Sequence, residues 1–190
     1  RLKTVAPSEF QSLLKSLAGM QGSALAWQAQ GLITARWAET DPTGLRRYID
    51  TQPINQQWGM IRVLYSTWAE KDVDSALAAS REIGNRNLQL MALSSIGSSI
   101  AQKDPARAIS IVQENSRGSI NNNWAMRQVY QEWAKRDPQA ARQAALNMEE
   151  GTPKSQALIG ALGESMASEP KSVLAWLDSL PADSVVQRTR

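Results

Sequence analysis

Apolar residues along the chain recur three and four positions apart, and no stretch shows the sustained alternation typical of a β-strand. This spacing predicts an all-α protein. A short helix is expected at residues 8–18, followed by five pairs, each a long helix and then a shorter one. The pairs are expected at about 23–51, 55–83, 87–115, 122–148 and 155–180, and together they form a single array over residues 1–190.

A short motif recurs where the two helices of each predicted pair meet, and Trp133-Ala134-Lys135-Arg136-Asp137-Pro138 is its fullest copy. A fixed period of this size indicates a repeat array. Aspartate at such a join accepts hydrogen bonds from the free N–H groups of the next helix, and proline suits the first helical position. We therefore expect the acidic residues to be helix caps and not catalytic groups. They are Asp41, Asp72, Asp104, Asp137 and Glu169, at steps of 31, 32, 33 and 32 residues.

The repeat also predicts the core. In four of the five long helices, apolar residues stand seven and four positions before the tryptophan position of the motif: Ile61 and Leu64, Leu93 and Ile96, Met126 and Val129, Ile159 and Leu162. The first long helix has Gln30 and Ile33 there. Three tryptophans at the ends of long helices are expected to fill the junctions between neighbouring pairs: Trp37, Trp68 and Trp133. Three more stand near helix starts, where burial and partial exposure both fit the pattern: Trp27, Trp58 and Trp124.

Charge gives little support to a nucleic-acid partner. The chain has 21 basic and 18 acidic residues in a mixed distribution, whereas nucleic-acid-binding proteins usually carry a concentrated basic face. A helical repeat that follows a phosphate backbone needs a cation at the same position of every unit. One such position holds Gly31, Arg62, Ser94, Arg127 and Gly160. Nucleic-acid binding is therefore the less favoured alternative.

The chain contains no cysteine and no histidine. This removes thiol nucleophiles, the commonest zinc ligands and the usual general base, so we expect no metal, no cofactor and no catalytic activity. One alternative stays open, namely that the chain is the helical region of a larger enzyme. Glu164-Ser165 resembles the catalytic Glu-Ser pair of peptidoglycan-cleaving lytic transglycosylases, which carry a superhelical region.

No apolar run reaches the roughly 18 residues that a membrane-spanning helix needs, so we expect no membrane insertion. The chain begins at Arg1 without methionine, and we expect a processed form or an excerpt of a longer bacterial protein. Export after removal of a signal and a cytoplasmic location both agree with the sequence.

Several units resemble tetratricopeptide repeats. The segment 93–100 has that family's first-helix pattern, with an apolar residue before Gly97, and Ala108 matches the alanine of its second helix. Residues 64–77 and 129–141 fit the same frame. Sel1-type repeats and a bacterial Trp-Ala-x-x-Asp-Pro repeat are equally consistent. The resemblance implies a right-handed α-α superhelix, or solenoid, of antiparallel helix pairs.

In tetratricopeptide proteins the first helix of each pair lines a concave groove that holds a peptide or a helix of a partner. The resemblance therefore implies a non-catalytic protein–protein interaction scaffold. Arg62 and Arg127, two units apart, are expected to clamp a carboxylate of the partner. The candidate partner-binding residues, including the two tryptophans near helix starts, are Trp58, Arg62, Glu70, Trp124, Arg127, Gln131 and Lys135.

Overall fold

The computed structural model describes residues 7–18, 24–114 and 121–178. Within these ranges the protein consists of α-helices and contains no strand, which confirms the all-α prediction. The helices are α1 (Pro7–Ala18), α2 (Ala24–Thr40), α3 (Pro42–Asp50), α4 (Ile54–Lys71), α5 (Val73–Arg81), α6 (Arg86–Ile100), α7 (Pro105–Glu114), α8 (Asn121–Arg136), α9 (Pro138–Leu146), α10 (Thr152–Ser168) and α11 (Pro170–Asp178).

The helices begin and end within three residues of their predicted positions. Aspartates cap the starts of the short helices α3, α5, α7 and α9. The backbone N–H groups of Gly44 and Ser75 donate hydrogen bonds of 2.8 and 3.0 Å to the carboxylates of Asp41 and Asp72. Asp104 and Asp137 accept the same bond from the residue three positions further on. The hydroxyl and backbone N–H of Ser75 hold the pKa of the Asp72 carboxyl below its ordinary value. The predicted capping role is confirmed for the four aspartates, and it stays a prediction for Glu169.

The chain divides into two compact units, Arg1–Ile96 and Gly97–Arg190, named unit 1 and unit 2 here. In unit 1, α2 packs against α1, α3 and α4, and α4 packs against α5. In unit 2, α8 packs against α7, α9 and α10, and α10 packs against α9 and α11. Each unit therefore has its own contacts between long helices, and the single array of the sequence analysis stays a prediction.

The predicted core positions are buried in α4 and α8 but are wrong for α10. Ile159 is 50% exposed, whereas Leu158 and Ala161 are buried. Glu169 follows Met166 by three positions, whereas the acid follows the tryptophan position by four in the other copies of the motif. Counting from the tryptophan position and counting from the acid therefore give different core residues in α10. Counted from the acid, Leu158 and Ala161 are the equivalents of the buried Met126 and Val129. The capped turn therefore sets the register of the helix.

The tryptophans of the motif also differ from expectation. Trp37 is 1% exposed, and its ring lies 5.7 Å from Phe10 and 5.2 Å from Tyr48, measured between centroids. Trp68 and Trp133 are only partly buried, so they do not fill a junction as predicted. The fully buried aromatic residues there are Tyr65 and Tyr130, three positions earlier, whose rings lie against those tryptophans. Burial raises the pKa of both tyrosines to about 12.

A second kind of repeated contact joins the ends of successive long helices. The Lys71 ammonium donates a hydrogen bond of 2.8 Å to the carbonyl oxygen of Glu39 in unit 1. The Arg136 guanidinium donates one of 2.5 Å to the carbonyl oxygen of Gln102 in unit 2. A cation at a helix C-terminus satisfies carbonyl groups that lack an intrahelical partner and opposes the helix dipole. Lys71 therefore caps the end of α2, and Arg136 binds a carbonyl of the turn that follows α6.

Candidate functional site

A groove of about 510 Å³ lies in unit 1 between α1, α2, α4 and the C-terminal part of α3. Its size falls within the roughly 300–1,000 Å³ that is common for ligand sites. The groove follows from how the long helices α2 and α4 pack. A β-carbon placed at Gly31 of α2, which lines the groove, would have no atom within 4 Å. The space beside Gly31 is therefore open to an incoming group.

The walls of the groove combine apolar and polar side chains. Leu14 and Leu17 of α1 line one side, and Met60 and Val63 of α4 line another. Trp27 of α2 also lines the groove, and it is 68% exposed. An exposed tryptophan next to buried apolar side chains offers a large flat surface whose coverage by a ligand releases water. The groove can therefore hold an apolar group against the Trp27 ring.

Two cations stand at the groove, Lys15 of α1 and Arg62 of α4. Both side chains are exposed, and no acidic residue is among the lining residues. In the part of the chain that the structure describes, the observed ion pairs involve other residues. The charge of Lys15 and Arg62 is therefore not neutralised locally by the lining.

The remaining polar groups of the groove are neutral. The Thr34 hydroxyl already donates a hydrogen bond of 2.7 Å to the carbonyl oxygen of Gln30. Burial raises the pKa of Tyr48, so its hydroxyl keeps its proton at neutral pH. Asn55 and Gln56 lie in the first turn of α4, where the N-cap residue Pro53 provides no side-chain hydrogen bond. Amide side chains at this position can pair with the backbone of an extended peptide.

The structure places three of the predicted partner-binding residues on α4. Arg62 lines the groove of unit 1. Trp58 is 37% exposed and Glu70 is also exposed, but neither is among the residues that line the groove. The partner-binding roles of these residues stay predictions.

The other four predicted residues lie on α8 in unit 2, at spacings of three, four and four that share one helix face. Trp124 is 45% exposed, and Arg127 is also exposed. Lys135 forms an ion pair of 2.7 Å with Glu132, which also accepts a hydrogen bond from Gln102. Part of this face is therefore already occupied by contacts within unit 2.

Close packing of α10 against α8 covers the backbone of this face. A β-carbon at Gly160 would overlap the carbonyl oxygen of Arg127 and lie 3.1 Å from the backbone nitrogen of Gln131. The two helices are therefore in backbone contact, and the structure places the candidate residues of α8 on a surface without an open space like that beside Gly31.

Sequence reasoning missed four residues that shape the groove: Lys15, Trp27, Tyr48 and Met60. Met60 and Tyr48 follow the apolar pattern of their helices and look like ordinary core positions. Trp27 gave a weak signal, because a tryptophan near a helix start fits either burial or exposure. Lys15 lies in the last turn of α1, where a cation is common for helix capping alone.

Comparison with protein-family models, with curated proteins and with solved structures finds no match to this chain. In the described ranges no helix is both long and apolar enough to cross a membrane. Across the same residues, no three acidic side chains gather in a way that could hold a metal ion. The side chain of Glu164 lies outside what the structure describes, so its resemblance to a catalytic glutamate stays untested.

Proposed function

We propose that the protein is a non-catalytic interaction scaffold that holds a peptide segment or a helix of a partner protein in the unit 1 groove. The observation that carries this proposal is the open space beside Gly31, bounded by the exposed ring of Trp27 and by Arg62. An exposed aromatic anchor beside charged groups is typical of protein-binding surfaces.

The proposal includes the architecture, a right-handed α-α superhelix similar to that of tetratricopeptide proteins. Three features support it. The capped turns recur at 31 to 33 residues, long helices contact each other within each unit, and cation–carbonyl bonds join residues 32 and 34 positions apart. The capped turns join the two helices of a pair, and the other two features tie a pair to its neighbour, which is how solenoid repeats gain stability.

Site-specific photocrosslinking tests the function. A photoreactive benzoylphenylalanine replaces Trp27 in one variant and Leu25 in the other, and each protein is irradiated in a lysate of the producing cells. Both residues are 68% exposed on α2, but only Trp27 lines the groove, so Leu25 is a matched control. We expect one protein segment, identified by mass spectrometry, to attach at position 27 and not at position 25. Equal adducts at the two positions would contradict binding in the groove.

Charge reversal separates the groove from the α8 face. If the partner lies in the groove, Arg62→Glu removes the crosslink at position 27, whereas Arg127→Glu leaves it unchanged. If the two arginines clamp the partner together, each single variant weakens the crosslink. The second result would restore the two-point clamp expected from the resemblance, and the first would restrict binding to unit 1.

A further inference from the structure

The polar and apolar groups of the groove have a defined arrangement that indicates the chemistry of its partner. Lys15 and Arg62 are its charged lining residues, so the lining carries two positive charges and no negative one. Both cations are exposed, so salt screens their attraction for an opposite charge, but no acidic lining residue cancels it. A basic segment would be repelled, and a neutral one would leave both cations unpaired.

The N-terminal end of α4 adds to this positive potential. The first turn of an α-helix carries unpaired N–H groups and the positive end of the helix dipole. Here the N-cap residue is Pro53, which provides no side-chain acceptor, and Asn55, Gln56 and Arg62 of the same helix line the groove. A carboxylate near the first turn of α4 would be attracted by the helix terminus, whereas Arg62 lies about two turns further along the helix.

The groove also presents apolar surface. Trp27, Met60 and Val63 are among its lining residues, and the Thr34 hydroxyl already donates a hydrogen bond within α2. Only a group with apolar surface replaces the water there without losing hydrogen bonds. A purely polar acidic chain would satisfy the cations but leave the Trp27 ring exposed.

We infer that the groove recognises an acidic peptide segment in which side-chain carboxylates flank one large apolar residue. The carboxylates pair with Lys15 and Arg62, and the apolar side chain lies on the Trp27 ring. This inference rests on the proposed function, since it specifies the partner of the same groove. A single-stranded nucleic acid also combines negative charge with flat rings, but the aliphatic walls and the small number of cations favour the peptide.

The test is selection of short random peptides displayed on phage against three forms of the full-length chain. The forms are the wild type, the variant Lys15→Glu/Arg62→Glu, and the control Arg47→Glu/Lys171→Glu. The control changes net charge equally at two exposed residues that do not line the groove. Circular dichroism and thermal unfolding establish that the three proteins are folded alike. A selected peptide is then labelled, and its affinity is measured by fluorescence anisotropy.

We expect the wild type and the control to enrich acidic peptides that contain an aromatic residue or leucine. The groove variant should bind the selected peptide at least about tenfold more weakly. Raising the salt concentration from about 0.05 to about 0.5 M should weaken wild-type binding as well, because exposed charges are screened.

Other outcomes overturn the inference in distinguishable ways. Enrichment of peptides without acidic residues would leave peptide binding intact and refute the acidic partner. Absence of any enriched peptide would refute both the inference and the proposed function. Displacement of the labelled peptide by oligothymidine at equal or lower concentration would assign the groove to nucleic acid.

Discussion

In each unit two successive long helices pack against each other, α2 with α4 in unit 1 and α8 with α10 in unit 2. All four helices end in a copy of the same sequence motif, yet the two pairs pack differently. Both pairs consist of a long helix and the long helix that follows it, with an acidic residue at the end of each helix. Beside Gly31 of α2 the structure has open space, and a groove of about 510 Å³ results. At Gly160 of α10 the two backbones touch, and a β-carbon would overlap the Arg127 carbonyl oxygen.

The two pairs differ at one equivalent residue position. Counted from the acid that ends the helix, Gly160 of α10 corresponds to Val63 of α4. The glycine lets α10 approach α8 until the backbones meet, whereas the valine side chain is among the residues that line the groove. We therefore expect the size of the residue at this position to contribute to whether two long helices pack closely.

The largest effect should come from the aromatic stack that holds unit 1 together beside its open groove. Trp37 contacts Phe10 of α1 and Tyr48 of α3, so it joins three helices. We expect Trp37→Ala to lower the free energy of unfolding by about 3–5 kcal/mol in urea denaturation. Trp133→Ala, at a partly buried residue of unit 2, should cost less. An equal loss of stability in the two variants would mean that the Trp37 stack stabilises unit 1 no more than the partly buried Trp133 stabilises unit 2.

The next largest change in stability is expected in the closely packed pair α8/α10. Gly160→Ala should lower the free energy of unfolding by roughly 1–3 kcal/mol, since the new β-carbon forces α10 away from α8. Gly163→Ala, on the same helix, is the matched control. No atom lies within 4 Å of a β-carbon at Gly163, so alanine there should stabilise by about 0.5–1 kcal/mol through helix propensity. If both variants are stabilised, the backbone contact between α8 and α10 is not as close as the structure indicates.

The smallest change in stability is expected in the pair α2/α4, which lines the groove. Gly31→Leu places a side chain in the empty part of the groove, and replacement of a helical glycine should raise stability by about 0.5–1 kcal/mol. The same variant should lose the photocrosslink at position 27 and the affinity for the selected peptides. A variant that binds peptides like the wild type would place the binding surface elsewhere.

Much of the fold could be predicted because its signals are local. The Asp-Pro turns fixed where helices begin, and their backbone hydrogen bonds agree with that expectation at Asp41 and Asp137. The register of α10 was mispredicted because the motif is one residue shorter between Met166 and Glu169, and the tryptophan position was used as the reference. Periodicity identifies a helix face only when the correct end of the helix is known.

The groove depends on distances between helices, which periodicity does not encode. Arg62 was found because a family resemblance gave its helix face a role. Lys15 and Trp27 come from other helices, and their proximity to Arg62 depends on how far α4 lies from α2. Predicting the site required the size of the residue at position 63 to be considered together with its neighbours, since packing is decided by pairs of residues and not by either one alone.

Both cation–carbonyl bonds run from a later helix to an earlier part of the chain. Lys71 donates to the Glu39 carbonyl and Arg136 to the Gln102 carbonyl, so in both cases the later helix supplies the donor. Shortening the protein from its C-terminus therefore removes a cap from the helix that remains, while shortening from the N-terminus leaves behind only a cation, which water can solvate. Two truncated proteins that lose equal lengths should therefore differ in stability. The one that keeps the later helices should be the more stable of the two.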